Sequence, residues 1–276
     1  MQNREFNKLL VDEYLEILIK RKYSKNTIRN YKTALYTIND YLGDTKKHNN
    51  IIRTDIIRFL ETQSNYADTT YNTRLSAIRS FYNHLIDIEV IAKQPISMQM
   101  YRRLEWSEPK ALTKLEQKQY IEVCERGRNL QAFGVRLMLA TGLRLSELCN
   151  LDLKKDIEIR EGKGYVNVRK SKNKFPRIVP IFDDAVTQEI KELKKLYFDI
   201  KSYPLPIERY SYKHLNDIYQ EKYGYRITSH QLRYTFATER FESRMDLNTI
   251  RMLMGHRTIT MTLQYIANRL DIYNLI

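Results

Sequence analysis

The sequence predicts a mainly helical protein of the α+β class. An N-terminal helical bundle is followed by a mostly helical second domain that holds a small three-stranded antiparallel sheet. Three observations carry this. Apolar residues recur at helical spacing over most of the 276 residues. Glycine and proline number only 8 and 6, too few for the many tight turns of a β-sandwich. One stretch, residues 156–181, breaks into short β-like runs.

The elements follow in order. Phe6, Leu9, Leu10, Tyr14, Leu15 and Leu18 fall near helical spacing and define the first helix. Ser24 is the expected N-cap of a second, which Gly43 stops. Thr54 or Asp55 is expected to cap a third, "IIRFLETQ", and "TTYNTRLSAIRSFYNHLIDI" supplies a fourth. Four helices with short connections make a small bundle. Residues 1–100 are read as this domain, 101–110 ("YRRLEWSEPK") as a charged linker and 111–276 as the second domain. Thr113 and Glu116 have capping-box spacing and open a helix through Cys124. A helix from about Leu130 to Thr141 ends at Gly142. "DIEIR", "GYVNVRK" and "RIVPI" read as three strands, separated by "EGKG" and "SKNKFP". Helices resume with "DDAVTQEIKELKKLYF", "SYKHLNDIYQEKY", "TSHQLRYTFATERF" and "LNTIRMLM".

Charge narrows the partner. The net charge is +14, and both halves share it: residues 1–110 hold 18 Lys/Arg against 13 Asp/Glu, the remainder 29 against 20. A single basic tail is excluded, and a polyanion is the expected partner. No apolar stretch approaches the length of a membrane span, and no signal-peptide pattern opens the chain, so a soluble, cytoplasmic protein is expected. Cys124 and Cys149 lie in helical patterns and read as buried free thiols.

The second half sets out polar residues in a fixed order. They are Arg144 in "ATGLRLSEL", Lys172 in "VRKSKNKFPRIVPI", His230 and Arg233 in "SHQLRYTFAT", His256 in "MLMGHRTIT" and Tyr265 in "TLQYIA". Such a cationic cage suits a phosphodiester, with tyrosine as nucleophile. Arginine fits because its planar fork holds two phosphate oxygens at once. His230 and Arg233, three apart, share one helix face. Glu147 either orients Arg144 by a salt bridge or is a solvated helix charge; both readings stand.

These boxes, with the nine-residue interval from His256 to Tyr265, resemble the tyrosine recombinase (phage integrase) family, most closely its Xer-like members. The resemblance runs from about Ser24 to Tyr265. "SKNTIRNY" and "NTRLSAIRSFY" are similar to the SAM-like core-binding domain of Xer-type recombinases. The resemblance implies a catalytic set of Arg144, Lys172, His230, Arg233, His256 and Tyr265. Tyr265 would form a 3′-phosphotyrosine and free a 5′ hydroxyl. His230 would contact the phosphate and accept the tyrosine proton, and Lys172, on the hairpin, would protonate the leaving oxygen. Counting back from Pro180 favours Lys172, counting forward from "YVNV" allows Lys170, and Lys174 is close.

The implied partner is a double-stranded DNA recombination site. It would be held by a homo-tetramer, or a hetero-tetramer with a paralogue, passing through a Holliday junction. No cofactor and no metal are implied, and the setting would be cytoplasmic and nucleoid-associated. Two departures stand out: Tyr234 where most relatives carry histidine, and "MTLQYIA" without a histidine after the tyrosine. A type IB topoisomerase-like nicking–closing enzyme and a non-catalytic DNA-binding protein are the alternatives. Ile266, Leu270, Tyr273 and Ile276 fall on one helical face, so the tail is expected to dock on another protomer.

Overall fold

The computed structural model describes residues 2–104, 110–125, 129–169, 176–205 and 207–266, the side chains of 129, 209 and 264–266 aside. The chain divides into two compact units, Met1–Trp106 and Ser107–Ile276.

The first unit is a bundle of α1 (Asn3–Lys20), α2 (Lys25–Leu42), α3 (Arg53–Glu61) and α4 (Asp68–Asp87). Ser24 caps α2 as expected, its hydroxyl accepting the Thr27 N–H at 3.1 Å, and Gly43 ends that helix. The cap of α3 differs from expectation. Ile52, not Thr54 or Asp55, holds the N-cap position. Asp55 sits three residues into the helix, and its carboxylate reaches back to accept the Ile52 N–H at 2.9 Å. A search for a polar cap mistakes this for the cap itself, because the reciprocal half of a capping box works without a polar N-cap side chain.

Val11, Leu35, Ile38, Leu75, Phe81 and Leu85 are fully buried and form the bundle's centre. A polar network is sealed beside them. Asn7 Nδ2 donates to the Lys46 carbonyl at 2.8 Å, Asn7 Oδ1 accepts the His48 N–H at 2.8 Å, and His48 Nδ1 lies 2.9 Å from the Tyr82 hydroxyl. Buried polar groups persist where they are paired in this way. After α4 the chain stays on the bundle. Ile96 is buried in its core, and the Arg102 guanidinium stacks 4.0 Å over the Tyr71 ring while donating to the Tyr66 carbonyl at 2.8 Å.

The second unit contains α5 (Lys114–Glu125), α6 (Asn129–Thr141) and the short α7 (Leu145–Leu148). Strands β1 (Ile157–Arg160), β2 (Lys163–Val168) and β3 (Arg177–Pro180) come next. Then follow α8 (Asp184–Leu196), α9 (Arg209–Tyr223), α10 (Ser229–Glu242), α11 (Leu247–Met254) and α12 (Ile259–Ile266). The sheet is antiparallel in the order β1-β2-β3, with Ile157 opposite Val166 and Val166 opposite Val179. Alternation turns Val166, Val168 and Val179 into the core. The Thr113–Glu116 capping box opens α5, with the Thr113 N–H donating to Glu116 at 2.7 Å and the Glu116 N–H to the Thr113 hydroxyl at 3.2 Å.

Buried α10 carries Leu232, Phe236 and Ala237 and packs against α6. Both cysteines are free thiols; Cys124 is buried, whereas Cys149 is only partly so. Among the described residues no helix is long and apolar enough to cross a membrane.

Candidate active site

The site is organised around the end of a short helix. Asp246 caps the start of α11, and Gly255 follows its last residue in the left-handed conformation, φ +63°. A helix C-terminus presents carbonyls without intrahelical partners and a partial negative charge, so cations are favoured there. Three guanidiniums from three elements meet it. Arg177 Nε donates to the Leu253 carbonyl at 2.6 Å, Arg233 Nη2 to the Met254 carbonyl, and Arg144 Nη2 to the Gly255 carbonyl at 3.2 Å. Arg144 stands at the N-cap of α7, Arg177 opens β3, and Arg233 lies in the second turn of α10.

Arg233 is 1% exposed. Its Nη1 also donates to the carbonyl of Gly142, the residue that ends α6 with φ +64°. A Cβ at Gly142 would fall 2.4 Å from Phe236, so both the backbone conformation and the contact with α10 call for glycine there. The buried charge is therefore held by two helix ends.

Glu147 is the counter-charge, 3% exposed. Its Oε1 accepts Arg144 Nη1 at 2.8 Å and Arg177 Nη1 at 3.0 Å; its Oε2 accepts the Arg144 N–H at 2.9 Å and Arg177 Nη2 at 2.8 Å. Arg177 thus grips it fork to fork. Burial alone would raise this carboxyl's pKa. The Arg177 hydrogen bonds and charge, the Arg144 N–H and the Arg233 charge outweigh burial and bring it down to about 2. The salt-bridge reading of Glu147 is the one that the geometry adopts. Three guanidiniums against one carboxylate leave the cluster positive among the described residues.

His256 follows Gly255 directly and is 4% exposed. Its Nδ1 lies 3.0 Å from Thr262 Oγ1, and its carbonyl accepts Arg251 Nη1 at 3.2 Å. Burial first, then the charges of Arg233, Arg144 and Arg177, lower the imidazole pKa to about 3, so it is neutral at pH 7. A neutral imidazole among cations donates a hydrogen bond without adding charge to the ground state.

The remaining expected residues are placed less completely. His230 lies in the first turn of α10, exposed, one turn before Arg233. Tyr265 lies in α12, which packs against α10 and α11; its side chain is outside the described residues. Thr262, one turn earlier on α12, is fully buried and ties that helix to His256. Lys172, with Lys170 and Lys174, falls in the segment between β2 and β3 that lies outside the described residues. The tail positions Leu270, Tyr273 and Ile276 also lie outside them.

Arg144, Arg233 and His256 are thus brought together at one helix end. Sequence reasoning missed Arg177 and Thr262. The signal for Arg177 was an arginine heading a strand whose other residues are apolar; for Thr262 it was the three-residue interval to Tyr265 on one helix. Chemically, preorganised guanidiniums beside a neutral imidazole can stabilise charge that grows on phosphate oxygens.

Comparison with known proteins places the chain in a family. The profile of the Phage integrase family matches residues 110–270, and that of the phage integrase N-terminal SAM-like domain matches residues 11–88. The chain is 28% identical over 275 residues to tyrosine recombinase XerA of Pyrococcus furiosus, covering 96% of this chain and 91% of that one. It is 29% identical over 285 residues to tyrosine recombinase XerD of Rickettsia bellii, covering 92% of each. Its fold is shared with a lambda integrase (75–356) dimer bound to a COC′ core site, at TM-score 0.77, 19% identity and 96% coverage of each chain. It is also shared with the XerH site-specific recombinase bound to difH substrate, at TM-score 0.69 and 18% identity, over 95% of this chain and 83% of that one.

Proposed function

The chain belongs to the phage integrase family and is a tyrosine recombinase of site-specific DNA recombination, and on that premise we propose how its residues divide the work. Arg144 and Arg233 grip the non-bridging oxygens of the scissile phosphate. His256 donates a hydrogen bond to one of them. Tyr265 attacks the phosphorus, giving a 3′-phosphotyrosine. His230, exposed beside Arg233, accepts the phenol proton. Lys172 gives a proton to the departing 5′ oxygen. A 5′ hydroxyl from a partner strand then attacks the phosphotyrosine and releases Tyr265. The ester keeps the bond energy, so exchange proceeds without a nucleotide cofactor.

The single observation that supports this best is the convergence of Arg144 and Arg233 on adjacent carbonyls of residues 254 and 255, with His256 next in the chain. A phenol of pKa about 10 is mostly protonated at pH 7, and ionising it costs roughly 4 kcal/mol. A pocket with surplus cationic charge offsets that cost by favouring the phenolate. The partner in this reading is a double-stranded recombination site, and four protomers, identical or with a paralogue, act on two sites through a Holliday junction. The 1–100 bundle and the 111–276 domain, joined by residues 101–110, would clamp the duplex in the cytoplasm.

Tyr265→Phe tests the assignment. It keeps the ring and removes the nucleophilic oxygen. We expect duplex binding to persist and the covalent adduct on a nicked suicide substrate to vanish. An adduct that survives in the Phe variant moves the nucleophile elsewhere. A two-site recombination assay run beside supercoil relaxation separates strand exchange from simple nicking and closing.

A further inference from the structure

Arg177 takes no step in the proposed chemistry, yet it joins three pieces of the site. We propose that Arg177 is a positioning residue for DNA cleavage: it fixes the Glu147 carboxylate and, through it, aims the Arg144 guanidinium. The proposal rests on the phosphate-binding role assigned to Arg144.

The geometry carries the argument. Arg144 and Arg177 share Oε1 of Glu147, at 2.8 and 3.0 Å. The other oxygen, Oε2, is held by Arg177 Nη2 at 2.8 Å and by the backbone N–H of Arg144 at 2.9 Å. Every contact between Glu147 and Arg144 is therefore made by an oxygen that Arg177 also holds. Without Arg177, the carboxylate keeps hydrogen bonds only to Arg144, three residues back, among the described residues, and is free to turn towards it. That turn would draw the Arg144 guanidinium off the Gly255 carbonyl, where Nη2 sits at 3.2 Å. The Arg177–Glu147 pair is no solvated surface bridge, since its side chains are 9% and 1% exposed. Exposed pairs contribute little, whereas stripping one partner from a buried pair leaves an uncompensated charge.

Arg177 is placed to do more than neutralise. Its Nε donates to the Leu253 carbonyl at 2.6 Å, and its guanidinium packs against Gly255, where a Cβ would fall 3.1 Å from Nη1. It also pairs with Val168 across the sheet, at the two strand ends between which Lys170, Lys172 and Lys174 lie in sequence. Its planar fork therefore fastens the carboxylate that aims Arg144 and the helix end that precedes His256, while its backbone stands at the root of the lysine-bearing connection. A lysine, with one compact ammonium, cannot reach three acceptors in one plane.

The test separates aiming from folding. Three quantities are measured: adduct formation on a suicide substrate at saturating protein, the Kd for a single-site duplex, and the melting temperature. Misplacing a reacting group by about 1 Å costs roughly a hundredfold in rate. Arg177→Met should therefore cleave about a hundredfold more slowly while Kd shifts less than about threefold. Arg177→Lys, which keeps a charge at the site, should regain part of the rate and supplies a folded comparison if the Met variant does not fold. In an Arg144→Ala background, Arg177→Met should cost less than about threefold further, because residues that act through one another are not additive.

An undiminished rate in Arg177→Met would overturn the proposal. So would equal losses in both backgrounds that track the melting temperature, because Arg177 would then serve stability alone. If the folded, unsubstituted protein forms no adduct, the catalytic assignment falls and this proposal with it. An adduct in the unsubstituted protein at a rate matched by Arg177→Met sinks only the proposal.

Discussion

His48 in the bundle and His256 in the second unit make an instructive pair. Both imidazoles are buried, at 0% and 4% exposure, and both are held near a pKa of 3. Each has one hydroxyl partner on Nδ1, Tyr82 at 2.9 Å and Thr262 at 3.0 Å. What surrounds them differs. Burial is the sole cause of the depressed pKa at His48, whose ring meets the edge of Phe81 at 5.0 Å and whose Nε2 has no hydrogen-bond partner among the described residues. At His256, the charges of Arg233, Arg144 and Arg177 add to burial. A perturbed pKa alone therefore does not mark a functional site. What sets His256 apart is the charge of its neighbours: three guanidiniums against one carboxylate leave a surplus of positive charge beside it, which suits an incoming anion.

Removing the most deeply buried cation should break this contrast most. Arg233→Ala deprives the phosphate site of a fork and leaves the carbonyls of Gly142 and Met254 without that donor. Loss of one such donor costs about a thousandfold in rate at most, so we expect cleavage to fall by about 10²–10³. Each stranded carbonyl adds about 1–3 kcal/mol of instability. His48→Gln should leave cleavage at saturating protein untouched. Single-turnover cleavage with urea melts checks both. A cleavage defect in His48→Gln beyond its loss of folded protein would erase the distinction between the two regions.

The comparison also explains how much could be read in advance. The helices were legible wherever a local chemical signal marks an end, as at Ser24, Gly43, Thr113–Glu116 and Gly142. The start of α3 was not, because its cap side chain is Ile52 and the working carboxylate, Asp55, lies inside the helix. α7 has four residues, too short for any periodicity. Arg144, Arg233 and His256 were legible as motifs. What joins them was not, because it is backbone: the carbonyls of residues 253–255 and of Gly142 carry no letter in the sequence. Arg177 was hidden for the same reason, since its value depends on Leu253 and Glu147 lying beside a strand end that is distant in the chain.

An acid titration sharpens the pair. Both histidines have folded pKa values near 3, against 6.5 for the ordinary side chain. Between these values the unfolded chain binds the proton and the folded one does not. Each histidine thus contributes stability that is complete above about pH 6.5 and is lost as pH falls towards 3, at about 1.4 kcal/mol per pH unit. Glu147, lowered to about 2, acts in the same direction below its ordinary range. Urea midpoints taken from pH 7 to pH 4 should decline, and His48→Gln should flatten the decline by one histidine's share. Bound DNA should then part the two. Imidazole resonances should show the His256 midpoint rising beside a phosphate anion while that of His48 stays fixed. If both midpoints move alike, the phosphate does not sit at His256.

The smallest effect concerns the hydroxyls on the two Nδ1 atoms. A hydroxyl that donates to Nδ1 leaves the proton on Nε2, where an imidazole can donate to a phosphate oxygen. Thr262→Val keeps the β-branched shape in a fully buried position and removes the hydroxyl that lies 3.0 Å from Nδ1. The other tautomer then becomes accessible, and part of the population turns a lone pair towards the phosphate. One neutral hydrogen bond is worth about 1 kcal/mol, so cleavage should fall about fivefold. Thr262→Ser should restore it, because the hydroxyl returns. Tyr82→Phe makes the matching change at His48, and there the same kcal/mol should appear wholly in the urea midpoint and not in cleavage. A Thr262→Val enzyme that cleaves at the full rate but melts early would show that Thr262 serves His256 as Tyr82 serves His48, by packing alone.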